Sequence, residues 1–241
     1  MLEAATRDQF FHGRVVLHQP REGYRFSIDA VILSHLAAPA DGDRVLDLGT
    51  GCGVIPILMA FRQATINVVA VELQPALAAF ARRNVTENQM DDRIRIMEKD
   101  MVDLSLADVG GPVDWVVSNP PYRKLASGRL CADSQRAVAR HELRIDLSTL
   151  LHTGRRLLRK MGHLSIIYPA VRTVDLLSAM RDEGIEPKQL TMIHANSASP
   201  AQLVAVTGVH GGRPGMTVLP SLKVYDASGH YTPPIEAMFT G

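Results

Sequence analysis

From residue 43 onward, short β-rich apolar runs alternate with longer stretches of helical periodicity, the pattern of a mostly parallel sheet covered by helices on both faces. Five runs come in succession: RVLDLG (44–49), INVVAVE (66–72), RIRIME (93–98), VDWVVS (113–118) and HLSIIYP (163–169). Between them lie the helical candidates VIPILMAF, PALAAFARRNVTEN, LSTLLHTGRRLLRK and VRTVDLLSAMRDEG, the last ending at Gly184. Two further runs, QLTMIHA and QLVAVTGV, bring the expected sheet to seven strands. The expected fold is α/β and Rossmann-like.

The rest of the chain is read around that core. Residues 14–26 look like a hairpin turning at Pro20 and Gly23, and Ser27 is placed to cap a helix with Ile28, Val31, Ile32 and His35 or Leu36 along one stripe. Residues 1–40 are too few for a domain and are expected to pack on the sheet. Residues 41–210 form the core, and 211–241, with Pro214, Pro220, Pro233 and Pro234, an ordered tail rather than a further layer. The 241 residues are thus read as one domain. At that length a chain buries roughly 70–75% of its unfolded surface and needs no disulfide or structural metal.

Only two cysteines occur, Cys52 and Cys131, which points to reduced thiols and a cytoplasmic setting. No CxxC or HExxH pattern exists and the nine histidines lack ligand spacing, so no metal is expected. The first residues carry no apolar leader and no run of 18 apolar residues follows, so neither secretion nor a membrane span is expected. The net charge of +1 hides an asymmetry: residues 123–160 hold ten Lys or Arg against three acids, which suggests an anionic partner.

The stretch Asp47-Leu48-Gly49-Thr50-Gly51-Cys52-Gly53 leaves a strand and opens a helix, so its backbone must turn sharply and let a ligand approach the main chain. Its glycine spacing is one short of the dinucleotide fingerprint GxGxxG, and Asp47 would repel a pyrophosphate but attract an ammonium group. Glu72, with Leu73 beside it, ends the second strand, where a carboxylate can accept both hydroxyls of a ribose. Asp100 stands at the matching place after the third, able to accept from the amino group of an adenine, with Met101 adjacent. Each acid alone reads equally well as a solvated charge or a cap. Three at successive strand ends outline an amine, a ribose and an adenine, the parts of S-adenosylmethionine.

Directly after the fourth strand comes Ser118-Asn119-Pro120-Pro121-Tyr122. The prolines stiffen the chain, so the Asn119 side-chain oxygen and the Pro120 carbonyl can act as fixed acceptors for an NH2 group. Tyr122 offers a ring for a planar substrate, with Pro121, Arg123, Lys124 and Arg129 as further substrate contacts. Taken alone, the motif reads first as a rigid exit from a strand, with Tyr122 a core aromatic. Downstream of the glycine turn it reads as catalytic, with Asn119, Pro120 and Tyr122 at the reacting group.

With these motifs the chain resembles the class I S-adenosylmethionine-dependent methyltransferases that modify planar amino groups, and among them the bacterial tRNA (adenine-N6)-methyltransferase family. The similarity runs from about Val15 to Tyr231 through YRFSIDAVILSHL, DLGTGCGVIPILMA, SNPPYRK and GGRPGMTVLPSLKVYDASGHYTP. The resemblance implies that the glycine turn, Asp47 and Glu72 hold the cofactor and that residues 119–122 hold a flipped base. It also implies that the helix around Asp29 borders the cofactor pocket, although an acid there equally complements the helix dipole. The basic run beginning at Arg123 favours tRNA as the partner. NPPY also serves enzymes acting on a protein glutamine amide or on other nucleic-acid bases, and an RNA-binding scaffold without turnover is a third reading. His141 and Glu142 could anchor the far end of the basic segment.

Overall fold

The computed structural model describes residues 5–21, 27–120 and 147–240. Pro121, Tyr122, Arg123, Lys124, Arg129, Cys131, His141 and Glu142 lie outside the described residues. The elements are β1 (Ala5–Phe10), β2 (Val15–Pro20), α1 (Ile28–Leu36), β3 (Arg44–Leu48), α2 (Val54–Arg62), β4 (Asn67–Glu72), α3 (Pro75–Glu87), β5 (Ile94–Glu98) and β6 (Val113–Ser118). There follow α4 (147–157), β7 (Leu158–Pro169), α5 (Thr173–Asp182), β8 (Ile185–His194), β9 (Ala201–His210), β10 (Thr217–Val218), β11 (Leu222–Lys223) and α6 (Pro233–Thr240).

The seven expected strands form one sheet in the order β8-β9-β7-β6-β3-β4-β5, parallel except where β9 runs between β7 and β8. The sheet has nine strands rather than seven. The two-residue β10 and β11 of the tail pair alongside β8, so part of the stretch expected to stay outside the sheet extends its edge. Leu158–Lys160, expected at the end of a helix, open β7. One core cluster gathers α1 and α2 on Val45, Val68 and Ile94; the other packs α4 and α5 on Leu46, Leu48, Val71 and Val116. Alternate residues of each strand thus face opposite layers, as the period of 2 requires.

The partner of β2 precedes it: Ala5 pairs with Pro20 and Phe10 with Val15, across a turn at residues 11–14. The return strand expected at residues 24–26 lies outside the described residues. The other edge of β2 is met by a helix. Asn88 Oδ1 accepts from the Val16 amide at 2.9 Å and its Nδ2 donates to the Val16 carbonyl at 2.7 Å. One turn earlier, Asn84 does the same for His18 at 2.7 and 2.8 Å. Two side-chain amides four residues apart, one on α3 and one capping its end, therefore replace a strand ladder, satisfying backbone groups that would otherwise be buried unpaired.

Candidate active site

After β3 the chain runs out to β4 and β5 and returns to lay β6 on the other side of β3. The strand order reverses between β3 and β6, and such a switch opens a crevice at the strands' carboxyl ends. A cavity of about 200 Å³ lies there, lined by Gly49, Gly51, Val71, Glu72, Leu73, Gln74, Leu77, Lys99, Asp100, Met101 and Asn119. A larger cleft of about 530 Å³ lies at the opposite, amino-terminal edge of the strands. Its arginines are taken: Arg44 and Arg93 by main-chain carbonyls, Arg82 by Glu98 at 3.1 Å and Arg95 by the Asp108 carbonyl.

The glycine turn takes its shape from left-handed residues, with φ of +77° at Gly49 and +80° at Gly53. A Cβ at Gly49 would meet nothing within 4 Å, so backbone conformation alone requires glycine there. Gly53 is constrained twice, because its Cβ would also stand 3.3 Å from Ala81 Cβ of α3. It lies outside the cavity lining and brings α2 and α3 together. Thr50, also expected to touch the cofactor, lies outside the lining as well.

Glu72 is fixed by the main chain. Its Oε2 accepts from the Gly51 amide and its Oε1 from the Gln74 amide, each at 2.9 Å, leaving further lone pairs to face the cavity. Asp100 Oδ1 accepts from the Val102 amide at 3.0 Å at the start of a short 3-10 turn. Ser118 Oγ donates to the Leu48 carbonyl at 2.7 Å and so ties the end of β6 to that of β3. With Asp47 in register with Val117, this latch brings Asn119 level with Gly49. Pro120 follows, half-buried and outside the lining.

Asp47 sits fully buried beneath the turn and does not line the cavity. Neither of its oxygens, nor Thr50 Oγ1, has a hydrogen-bond partner among the described residues. Burial pushes its carboxyl up to about 7, opposed by the neighbouring Thr50 hydroxyl, and the charge of Glu72 adds to the rise. An unpaired buried carboxylate needs either a proton or a cation. Asp29, at the start of α1, is raised by burial, opposed by bonds to Ser27 and its own backbone, and is not in the lining. Cys52 is pushed up to about 12 by burial, so its thiol stays protonated and inert.

Sequence reasoning missed Val71, Gln74, Leu77 and Lys99. Gln74-Pro75 after an acid-terminated strand is the available signal, since proline at the first helical position fixes where α3 begins. Lys99 is neutralised by Asp108 at 2.9 Å. Among the described residues no group of three or more His, Cys, Asp or Glu side chains is placed to hold a metal ion, and no helix is long and apolar enough to cross a membrane.

A glycine turn, a carboxylate at the next strand end and an Asn-Pro exit at the reversal of strand order define a Rossmann-like methyltransferase. Residues 28–180 match the family model of the methyltransferase small domain, and the chain belongs to that family. It is 30% identical to a "tRNA1(Val) (adenine(37)-N6)-methyltransferase" of Porphyromonas gingivalis, over 94% of this chain and 91% of that one. A protein of the same description from Aeromonas salmonicida is 34% identical over 64% of this chain, which spans 63% of that relative's length. The crystal structure of a predicted O-methyltransferase from Agrobacterium tumefaciens superposes with a TM-score of 0.69 at 24% identity, covering 87% of this chain and 94% of that one.

Proposed function

We propose that this chain transfers the methyl group of S-adenosylmethionine to the exocyclic N6 of an adenine in tRNA, in the cytoplasm. The observation that carries the reading is Asn119, latched through Ser118 to β3 and lining the same cavity as Gly49, Glu72 and Asp100. The near-full-length relative described as a tRNA adenine-N6 methyltransferase supports the substrate.

When bound, the cofactor supplies a methyl group on cationic sulfur. The chain's own residues suit its other parts. Asp47 and Thr50 offer unpaired buried oxygens to an ammonium group, Glu72 has lone pairs for ribose hydroxyls, and Asp100 has Oδ2 for an adenine amine. The Asn119 side-chain oxygen and Pro120 carbonyl accept the protons of the substrate NH2, turning its nitrogen lone pair out of conjugation. Positioning outweighs a strong base here, because charge disperses as the bond forms and the amine's proton can leave afterwards.

Unmodified tRNA transcripts incubated with methyl-labelled cofactor are expected to yield nuclease-sensitive label that mass analysis identifies as N6-methyladenosine. Label that survives nuclease and disappears with protease would instead mark a protein amide as the acceptor.

The Asp47 reading predicts a pH dependence. A carboxyl at about 7 in the folded chain against 3.8 unfolded stabilises the cofactor-free protein fully below pH 4 and loses that contribution as pH rises to 7. Relative to Asp47→Asn, the wild type is expected to lose as much as about 4 kcal/mol across that window in urea melts. Affinity for S-adenosylhomocysteine runs the opposite way, rising up to about tenfold per pH unit until about 7, because the ammonium group displaces the proton. Titration calorimetry checks this; parallel profiles for wild type and variant would remove Asp47 from the site.

A further inference from the structure

The tail brings a second feature to the edge that carries Asn119. β9 is antiparallel to both β7 and β8, so β8 points the same way as β6 and β7, and β11 pairs parallel with its last residues, Ile193 and His194. Four strand steps separate β6 from β11, about 19 Å at the usual spacing. That is the axial length of five or six stacked nucleotides at roughly 3.4 Å each.

Four aromatic rings form a ladder towards this edge. Phe10 stacks on Phe239 at 5.3 Å and 8°, Phe239 on Tyr231 at 5.2 Å and 12°, and Tyr231 on Tyr225 at 5.4 Å and 16°. Core packing accounts for the first two rungs, with Phe10 only 3% exposed and Phe239 against the same cluster. The outer two are different. Tyr231 is 39% and Tyr225 40% exposed, and among the described residues the Tyr225 ring stacks on Tyr231 alone.

The last rung is held firmly. Between the two tyrosines the chain makes a tight turn in which Asp226 Oδ1 accepts from the amides of Ser228 at 2.8 Å and His230 at 3.0 Å, and the Asp226 amide donates to the His230 carbonyl. The carboxylate is thereby drawn into the turn. Lys223, two residues before Tyr225, is exposed and makes no ion pair among the described residues, and His230 is exposed as well. A near-parallel stack ending in an open, pre-ordered ring beside an exposed lysine suits a planar group attached to an anionic backbone.

We propose that Tyr225 is a stacking platform for an unpaired base of the RNA substrate, about 19 Å along the sheet edge from the methyl-accepting base, with Lys223 contacting an adjoining phosphate. This rests on the tRNA reading above and adds the place where the RNA is gripped outside the catalytic cavity. A ring held by its neighbours loses little freedom on binding, and stacking accepts any base, so the platform contributes affinity and register rather than sequence choice.

The test measures binding of labelled tRNA by fluorescence anisotropy for the wild type, Tyr225→Ala and Tyr225→Phe, with S-adenosylhomocysteine affinity and melting temperature taken on the same samples. Tyr225→Ala is expected to weaken tRNA binding about tenfold, the size of one base–aromatic stack, and to raise KM for tRNA, while Tyr225→Phe stays within about twofold of wild type. Cofactor affinity should be equal in all three. Alanine-variant binding within about twofold of a wild type that does methylate tRNA overturns the platform and leaves the proposed activity standing. Equal losses from both variants, or a parallel fall in cofactor affinity, overturn it too, since the ring would not be the contact. A wild type that leaves tRNA unmethylated overturns the activity first and the platform with it.

Discussion

Asn119→Ala is expected to lower turnover about 10²- to 10³-fold while S-adenosylhomocysteine affinity changes no more than a few-fold, because a preorganised acceptor for the reacting amine is lost. The expectation depends on the strand ends being held: β6 is tied to β3 by Ser118 Oγ on the Leu48 carbonyl at 2.7 Å, so the neighbouring side chain is aimed before substrate arrives. Single-turnover assays with cofactor in excess separate this loss from slower product release. If the rate falls less than about fivefold, the side chain is not gripping the reacting nitrogen and the proposed chemistry moves elsewhere.

The second large effect is on stability. Asn84 is fully buried on α3 and makes three bonds: from the His18 amide at 2.7 Å, to the His18 carbonyl at 2.8 Å and to the Cys52 carbonyl at 2.9 Å. Asn84→Ala would strand all three main-chain groups away from water, at about 1–3 kcal/mol for each that finds no new partner. A loss of about 3 kcal/mol overall is expected, lowering the melting temperature by roughly 6–12 °C for a chain of this size. Because Cys52 belongs to the glycine turn, the variant should also bind S-adenosylhomocysteine more weakly at temperatures where it is still folded. A melting temperature within 2 °C of wild type would show that the hairpin is held by its apolar contacts instead.

The seven principal strands were legible because each is a short apolar run bounded by polar turn residues, a local property; the reversal of their order is a property of the folded sheet. The acids at the strand ends were legible for the same reason as the strands, since Glu72 and Asp100 close or follow such runs. What escaped is non-local. β1, with Thr6, Arg7, Asp8 and Gln9, has no apolar run, and only its pairing to β2 makes it a strand. β10 and β11 are two residues long and exist only against β8. α6 opens with Pro233-Pro234, which reads as a breaker, yet the first turn of a helix needs no amide from its residues. Asn84, Asn88 and Ser118 carry no chemistry in a one-dimensional reading, because their partners His18, Val16 and Leu48 lie 66 to 72 residues away. Gly53 was singled out by its motif; its close approach to Ala81 of α3 is visible only in three dimensions.

The Phe239 carbonyl accepts from the Phe11 amide, and the Phe239 ring covers Phe10, so the β1–β2 hairpin is sealed by α6. In synthesis from the amino terminus, about 230 residues must follow before those partners exist, some 10–45 s at usual translation speeds. Throughout that interval the hairpin can dock on α3 but keeps an aromatic flank bare. Nascent chains of this protein should therefore need shielding at this hairpin until α6 has been made.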